Sequence, residues 1–312
     1  MAKAEQITGL DCAADAVLWA SEVLRVRFVE VTDLREAALN FLDVEGVHAM
    51  RVATRRLRSA MQDFAPLMKK RLPKKLKKDL KRIADALGAV RDQDVAIAYL
   101  EKLQGKAKTD LIKDGIGKFI KERGDLRAAA CLNLIKIIAA REISDLQAQF
   151  AAAIDEMASR KQSKRMISFS EAGLGAVASG LQNLFDLSAN IYHPFNAAEL
   201  HETRIAAKRL RYAIELFIAC WGEAVAPFAA EIAEMQSFLG EVHDCDVWIE
   251  SLGKRLKRKN GAADETDFQT AVWLLSRFVK KRNKEYRSAL KLWCDWETNH
   301  FAERLRGTLR AA

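Results

Sequence analysis

Proline is scarce in this chain, and the signature of β-structure is missing. Only four of the 312 residues are proline, and alternating runs of β-branched residues are absent. What remains are apolar residues that recur every three or four positions, a pattern typical of amphipathic helices. Because 50% of the residues are hydrophobic, the chain can bury a sizeable core in one or two domains.

Cysteine spacing and the length of apolar runs argue against further classes of protein. The five cysteines are an odd number and contain no CxxC pair, which argues against a zinc knuckle or a disulfide framework, so we expect buried, reduced thiols. No secretory leader pattern opens the sequence, and no stretch approaches the roughly 18 uninterrupted apolar residues of a membrane span. We therefore expect a soluble, cytoplasmic protein with no membrane partner.

Signatures of catalysis are also missing. The sequence has no Gly-rich phosphate loop, no nucleophile beside a base and no motif for metal-assisted phosphoryl transfer. Glu45 and His48 form an ExxH pair, which is half of a di-iron carboxylate site, but Ala198 stands at the position aligned with Glu45. The sequence therefore predicts no enzyme, no metal site and no cofactor.

One segment of the chain occurs twice. VHAMRVATRRLRSAMQDF at 47–64 returns 153 positions later as LHETRIAAKRLRYAIELF at 200–217. On a helix, the apolar residues of each copy share one face, and the basic residues lie opposite or beside it. Since the cations recur as faithfully as the apolar positions, we predict two similar anion-binding walls. Their polar residues are His48, Arg51, Arg55, Arg56 and Arg58 in the first copy and His201, Arg204, Lys208, Arg209 and Arg211 in the second.

The alternative for each basic helix is an ordinary solvated face. Like charges four residues apart repel, however, as Arg51 and Arg55 do in the first copy. Because both copies place like charges together, the sequence favours a bound anion that offsets their repulsion.

A second motif follows each copy. LGAVRDQDV at 87–95 matches LGEVHDCDV at 239–247. We predict that its Gly ends one helix, because Gly adopts the left-handed conformation cheaply. Asp92 and Asp244 would then either cap the next helix or pair with an arginine of the basic helix.

The order HxxRVxxRRLR followed by LGxxRDxDV resembles the CHAD domain, the conserved-histidine α-helical domain, and covers nearly the whole chain in two half-copies. The resemblance implies an all-α fold of two pseudo-symmetric antiparallel bundles, about four helices each, with a basic cleft or pore. It also implies binding of inorganic polyphosphate and association with polyphosphate granules. The ten residues of the two copies would be the ligands, with further cations at Lys78, Lys81, Arg82, Arg91, Arg127 and Arg287.

The second half of the chain departs from the first at two basic positions. Lys208 replaces an arginine and His243 stands where the first motif has Arg91, so the second wall should bind more weakly and with more pH dependence.

The predicted halves are 1–158 and 171–312, with 159–170 as the linker. Two other functions stay open: non-specific nucleic-acid binding, and an accessory role beside a separate polyphosphate- or triphosphate-metabolising enzyme.

Overall fold

A computed structural model describes residue 7 and residues 9–68, 73–159, 166–258 and 265–311. Within these ranges the regular elements are helices, with one isolated bridge between Asp15 and Ser168, so the predicted all-α class is confirmed. The α-helices are α1 (Ala16–Asp33), α2 (Arg35–Leu39), α3 (Val44–Asp63), α4 (Lys74–Gln104), α5 (Asp110–Ile137), α6 (Ala140–Ala158), α7 (Phe169–Asp186), α8 (Ala197–Trp221), α9 (Ala226–Arg258), α10 (Glu265–Thr298) and α11 (Phe301–Ala311). Short 3-10 helices span Ala65–Leu67, Ser188–Tyr192 and Gly222–Val225.

The chain divides into two compact units. The first comprises Met1–Lys106 with Ile116–Ala172, and the second comprises Ala107–Gly115 with Gly173–Ala312. In the first unit α3 packs against α1, α2 and α4, and in the second α9 packs against both α8 and α10. Of the predicted linker, residues 160–165 lie outside the described residues, and α7 already begins at Phe169.

The two basic helices bury the apolar faces that their periodicity predicts. Met50, Leu57 and Phe64 of the first copy are fully buried, as are Leu210 and Phe217 of the second. Burying a side chain of this size contributes about 1.5–3 kcal/mol. The apolar stripe therefore fixes which face of each basic helix packs against the core of its unit.

The second repeated motif, at 87–95 and 239–247, is called the LG motif below. Each copy lies within one long helix, which continues through it without a break. Gly88 lies inside α4 and Gly240 inside α9, so the prediction that these glycines end a helix is wrong. A glycine in a helix interior costs about 1 kcal/mol relative to alanine. Tertiary packing of α4 and α9 outweighs that cost, because most helix stability in proteins comes from packing.

The cysteines differ in their state. Cys131 and Cys245 are buried free thiols and Cys294 is an exposed one. The expectation of reduced thiols is wrong for Cys12 and Cys220, which are disulfide-bonded.

One helical stretch is apolar enough to cross a membrane by length and composition alone. It lies within Ala197–Lys257, where an 18-residue window reaches a mean hydropathy of 1.4. A single such stretch is weak evidence, because core helices of proteins without a membrane segment pass the same test.

Candidate functional site

A cluster of cations surrounds His48 in the first unit. His48, Arg51 and Arg55 lie on α3 and Arg91 lies on α4, and all four are half-buried. Burial lowers the pKa of His48 below its ordinary value of 6.5, and the positive charges of Arg91, Arg55 and Arg51 lower it further, against the opposing effect of Glu45. The cluster therefore presents a neutral imidazole among three guanidinium groups.

Arg51 has two neighbours on α4. Its Nη2 atom lies 3.4 Å from Oδ1 of Asp92, which confirms the pairing role as one of the two predicted for that acid. A Cβ atom at Gly88 would lie 3.8 Å from Nε of Arg51, so the bare backbone of α4 approaches the guanidinium closely. Because the side chains of Arg51 and Asp92 are 37% and 65% exposed, their ion pair is worth at most about 1 kcal/mol. A bound anion can displace so weak a partner.

The second unit repeats the cluster with a histidine pair. His201, Arg204 and Lys208 lie on α8, and His243 lies on α9. The Nδ1 atoms of His201 and His243 are 3.1 Å apart, and the ring centroids are 4.1 Å apart. In such a contact one Nδ1 donates and the other accepts, so at least one ring has an unprotonated Nδ1.

Both histidines of this pair have lowered pKa values. Burial is the largest cause for each, and the charge of Arg204 comes next for His201. Burial and the neighbouring His201 lower the pKa of His243 to about 4, although Asp246 acts in the opposite direction. Both rings are therefore neutral near pH 7. Among the described residues, no three His, Cys, Asp or Glu side chains are grouped to hold a metal ion.

A buried ion pair stands behind the first cluster. Nε of Arg127, on α5, donates to Oδ1 of Asp94 at 2.5 Å, and its Nη2 donates to the carbonyl oxygen of Phe41 at 3.0 Å. The Asp94 side chain is only 3% exposed. The sequence analysis proposed Arg127 as a polyphosphate ligand, whereas the structure uses two of its nitrogens to hold protein acceptors.

The second unit contains the same arrangement, built by an arginine that the sequence analysis missed. Nε of Arg282, on α10, donates to Oδ1 of Asp246, and its Nη2 donates to the carbonyl oxygen of Pro194 at 2.5 Å. The available signal was the last aspartate of the LG motif, which recurs as Asp94 and Asp246. An acid that recurs at the same motif position, here buried in the first unit and half-buried in the second, requires a cationic partner.

The helical fold and the two motifs are the features of one protein family. The family model for the CHAD domain matches residues 22–253, which include both basic helices and both LG motifs. This chain belongs to the CHAD family. CHAD domains are known from polyphosphate- and triphosphate-related proteins.

Solved structures agree with the CHAD fold. The crystal structure of the CHAD domain from the plant Ricinus communis is similar with a TM-score of 0.75 and 23% identity, over 92% of this chain and 94% of that one. PptA from Streptomyces chartreusis is similar with a TM-score of 0.66 and 13% identity, over 90% of this chain and 99% of that one. No curated protein matches the chain. At these identities the similarity shows the fold alone.

One pair of equivalent CHAD motif residues differs between the units. Arg58 is exposed, whereas Arg211 is buried. Arg211 donates from Nε to Gln236 and from Nη1 to Glu215, both at 3.1 Å. The guanidinium of Arg211 is thus held by hydrogen bonds inside the second unit, whereas Arg58 is exposed.

Each of the other predicted ligands is either exposed on the surface of its helix or half-buried. Arg82 pairs with Asp79 at 3.5 Å, an exposed contact of the i,i+3 type. The remaining predicted ligands are the exposed Lys78, Lys81, Arg82, Arg209 and Arg287 and the half-buried Arg56. Their contact with an anion stays a prediction.

Proposed function

We propose that this CHAD protein binds inorganic polyphosphate electrostatically and does not catalyse its turnover. The observation that carries the proposal is the grouping around His48 and again around His201. Each basic helix presents a histidine with two cations, and the LG-motif helix adds a third group, Arg91 or His243. These clusters are the proposed contact sites.

The chemistry of the clusters suits a chain of phosphates. Arginine offers forked donors that match phosphate oxygens, and charge-assisted hydrogen bonds are about twice as strong as neutral ones. Residues 3 or 4 apart on a helix lie on one face, so Arg51 and Arg55 contact successive anionic groups of a polymer. A monovalent or compact anion would use only part of such a row.

The absence of turnover follows from what these side chains supply. Arginine and lysine can stabilise charge on a phosphoryl group, but turnover also requires an activated water or another nucleophile. The sequence has no motif for metal-assisted phosphoryl transfer and no Gly-rich phosphate loop. A catalytic partner, such as a polyphosphate-metabolising enzyme, would be a separate chain.

Non-specific nucleic-acid binding is the competing function, because phosphate contacts dominate both. Base stacking on single strands requires accessible aromatic rings. The aromatic ring beside Arg211 belongs to Tyr212, which is only 6% exposed and lies 4.8 Å beneath that guanidinium. The Tyr212 ring of the second basic helix is therefore not accessible for stacking on bases.

A calorimetric titration of the full chain with medium-chain polyphosphate tests the proposal. We expect saturable binding, with polyphosphate displacing single-stranded DNA when the two compete at equal phosphate concentration. Displacement in the opposite order would support the nucleic-acid function. No binding of either polymer would reject both. Fluorescent labelling of the protein in cells tests the accompanying proposal that it collects on cytoplasmic polyphosphate granules.

A further inference from the structure

The half-buried Arg127 and the buried Arg282 make equivalent contacts in the two units. In the first unit Arg127 bridges Asp94, at the end of the LG motif, and the carbonyl of Phe41. Phe41 stands seven positions before His48. We call this arrangement of guanidinium, carboxylate and carbonyl the clamp.

The clamp of the second unit has the same parts in the same places. Arg282 bridges Asp246, the last acid of the second LG motif, and the carbonyl of Pro194. Pro194 stands seven positions before His201. Each clamp therefore joins three segments: the helix with the LG motif, the helix that follows it and the loop that leads into the basic helix.

We infer that Arg127 and Arg282 are positioning residues, which fix the start of each basic helix so that its histidine and arginines face the polyanion together. The inference rests on the proposed function for its effect on affinity. It assigns these arginines a role distinct from phosphate contact.

The clamp adds to other contacts of the loops, such as the hydrogen bond from Nδ2 of Asn190 to the carbonyl oxygen of Glu199 at 3.2 Å. The residue after each accepting carbonyl is almost completely exposed, Leu42 at 98% and Phe195 at 90%. Neither loop is therefore anchored there by burial of an apolar side chain, although burial is the dominant stabilising term in folding. A hydrogen bond from a charged donor is the strongest contact that the loop backbone makes there.

The two units differ in how far the start of the basic helix depends on its clamp. The side chain of Asp43 caps α3 by accepting from the backbone N–H of Glu45 at 2.9 Å. Asn196 occupies the cap position of α8 and makes no side-chain cap hydrogen bond. The second unit adds a different contact, since the hydroxyl of Tyr286 donates to the carbonyl of Ile191 at 2.7 Å. We therefore expect the larger effect of clamp loss in the second unit.

Replacing the clamp acid Asp94 tests whether Arg127 positions the basic helix or contacts the anion, because the two roles predict changes of opposite sign in polyphosphate affinity. An aspartate near an anion-binding cluster opposes the anion, so its removal should raise affinity unless the acid is needed for geometry. Asp92 and Asp94 lie two residues apart on α4, and each pairs with an arginine. Only Asp94 belongs to the clamp, so Asp92 is its charge-matched control.

The experiment compares polyphosphate affinity of Asp94→Ala and Asp92→Ala in the full chain. We expect Asp92→Ala to bind more tightly, because it releases Arg51. We expect Asp94→Ala to bind at least about tenfold more weakly, the size of effect seen when partners behind a ligand are removed. Tighter binding by Asp94→Ala would overturn the inference, because Arg127 would then act as a ligand held back by its acid.

Arg127→Lys and Arg282→Lys test the same point in milder variants, which matters because Asp94→Ala leaves a buried cation without its partner. Lysine keeps the charge but cannot fork between a carboxylate and a carbonyl. We expect both variants to lose affinity while remaining folded by circular dichroism, with the larger loss in Arg282→Lys. Wild-type affinity in both would overturn the inference.

Hydrogen exchange separates a failure of the clamp from a failure of the proposed function. Faster exchange at the first intrahelical amides of α3 in Arg127→Lys, and of α8 in Arg282→Lys, is expected with no polyanion present. If the wild type binds no polyphosphate, the proposed function fails while this measurement still tests the clamp. Unchanged exchange in both variants would overturn the positioning role.

Discussion

The Nδ1 atoms of His201 and His243 lie 3.1 Å apart, whereas the first unit brings Arg91 into the cluster of His48. The second cluster therefore has one permanent positive charge fewer than the first. Both of its histidines have lowered pKa values and are neutral in the free protein near pH 7. A bound polyanion reverses this preference, since a nearby negative charge favours the protonated ring.

Exchanging Arg91 and His243 between the units should exchange their pH responses. Protonation strengthens binding, so affinity should rise as pH falls from about 6.5 toward the free-state pKa of His243, which is about 4. We expect His243→Arg to tighten binding at neutral pH and flatten the pH profile, and Arg91→His to weaken binding and steepen it. Titrations with polyphosphate between about pH 5 and 8 measure both effects.

Two further variants complete this test. His193→Gln removes an exposed histidine of the same unit and should leave the profile unchanged. Replacing both His201 and His243 with Gln should remove the contribution of the second cluster. A pH profile that survives in the double variant would show that other groups take up the protons.

The stability of the free protein should also depend on His243. Its pKa is about 4 in the folded chain, below the ordinary value of 6.5, with burial as the main cause. Between these two values the unfolded chain binds a proton that the folded chain does not, so the free energy of unfolding should fall as pH drops from about 6.5 to 4. Urea unfolding at pH 7, 5.5 and 4.5 measures this fall. In His243→Gln the fall should be smaller, and an equal fall would assign it to other groups.

Loss of a cluster arginine should reduce binding without unfolding the protein. We expect Arg51→Ala and Arg204→Ala each to weaken polyphosphate binding by roughly 1.5–3 kcal/mol, the value of one charge-assisted contact. Arg25→Ala is the control. Arg25 is a half-buried cation of the first unit that lies on α1, away from the cluster helices in the chain, and it pairs with Asp155 of α6 at 2.5 Å. Wild-type affinity in both cluster variants would exclude these arginines as the site.

Leu57→Ala and Leu210→Ala should have the opposite profile. Both side chains are fully buried, so truncation should cost about 2–5 kcal/mol of stability. At a temperature where the variants remain folded, their affinity should stay close to that of the wild type. Calorimetry and thermal unfolding of the same samples separate the two effects.

Periodicity predicted the buried faces of both basic helices because the 3.6-residue repeat is a property of the local sequence. It could not predict that Arg211 is buried, because its acceptor Gln236 lies outside the repeated segment and its acceptor Glu215 stands where the first copy has Gln62. Arg282 likewise lies in no motif, and only the fold brings it to Asp246 on another helix.

Gly88 illustrates a different limit of sequence reasoning. Its local conformational preference favoured a helix end, but the buried surface of α4 decided the outcome. The pairing of Asp92 with Arg51 was among the predicted alternatives, and choosing between them required the two helices to be placed side by side.

The helix glycines make a prediction about packing. A Cβ atom at Gly240 would meet nothing within 4 Å, so Gly240→Ala should stabilise α9 by up to about 1 kcal/mol. A Cβ atom at Gly46 would lie 1.9 Å from the carbonyl oxygen of Ala37, so Gly46→Ala must push α3 away from α2. We expect that variant to lose about 1–3 kcal/mol, as overpacked cores do. Chemical denaturation of the two variants should give shifts of opposite sign.

Salt dependence should reveal how many phosphates the protein neutralises. Each contact with a single-stranded polyanion releases condensed counterions, which gives a slope of log K against log salt near −0.7 per contact. The three half-buried arginines of the first cluster, Arg51, Arg55 and Arg91, therefore predict a slope of about −2 or steeper. Titrations between roughly 50 and 200 mM salt measure it. Arg51→Ala should make the slope shallower by about 0.7, whereas Arg25→Ala should leave it unchanged. Inorganic phosphate should compete poorly, because it lacks the multivalency that adds up along a polymer. A slope near −0.7 in the wild type would instead indicate an anion held by a single cation.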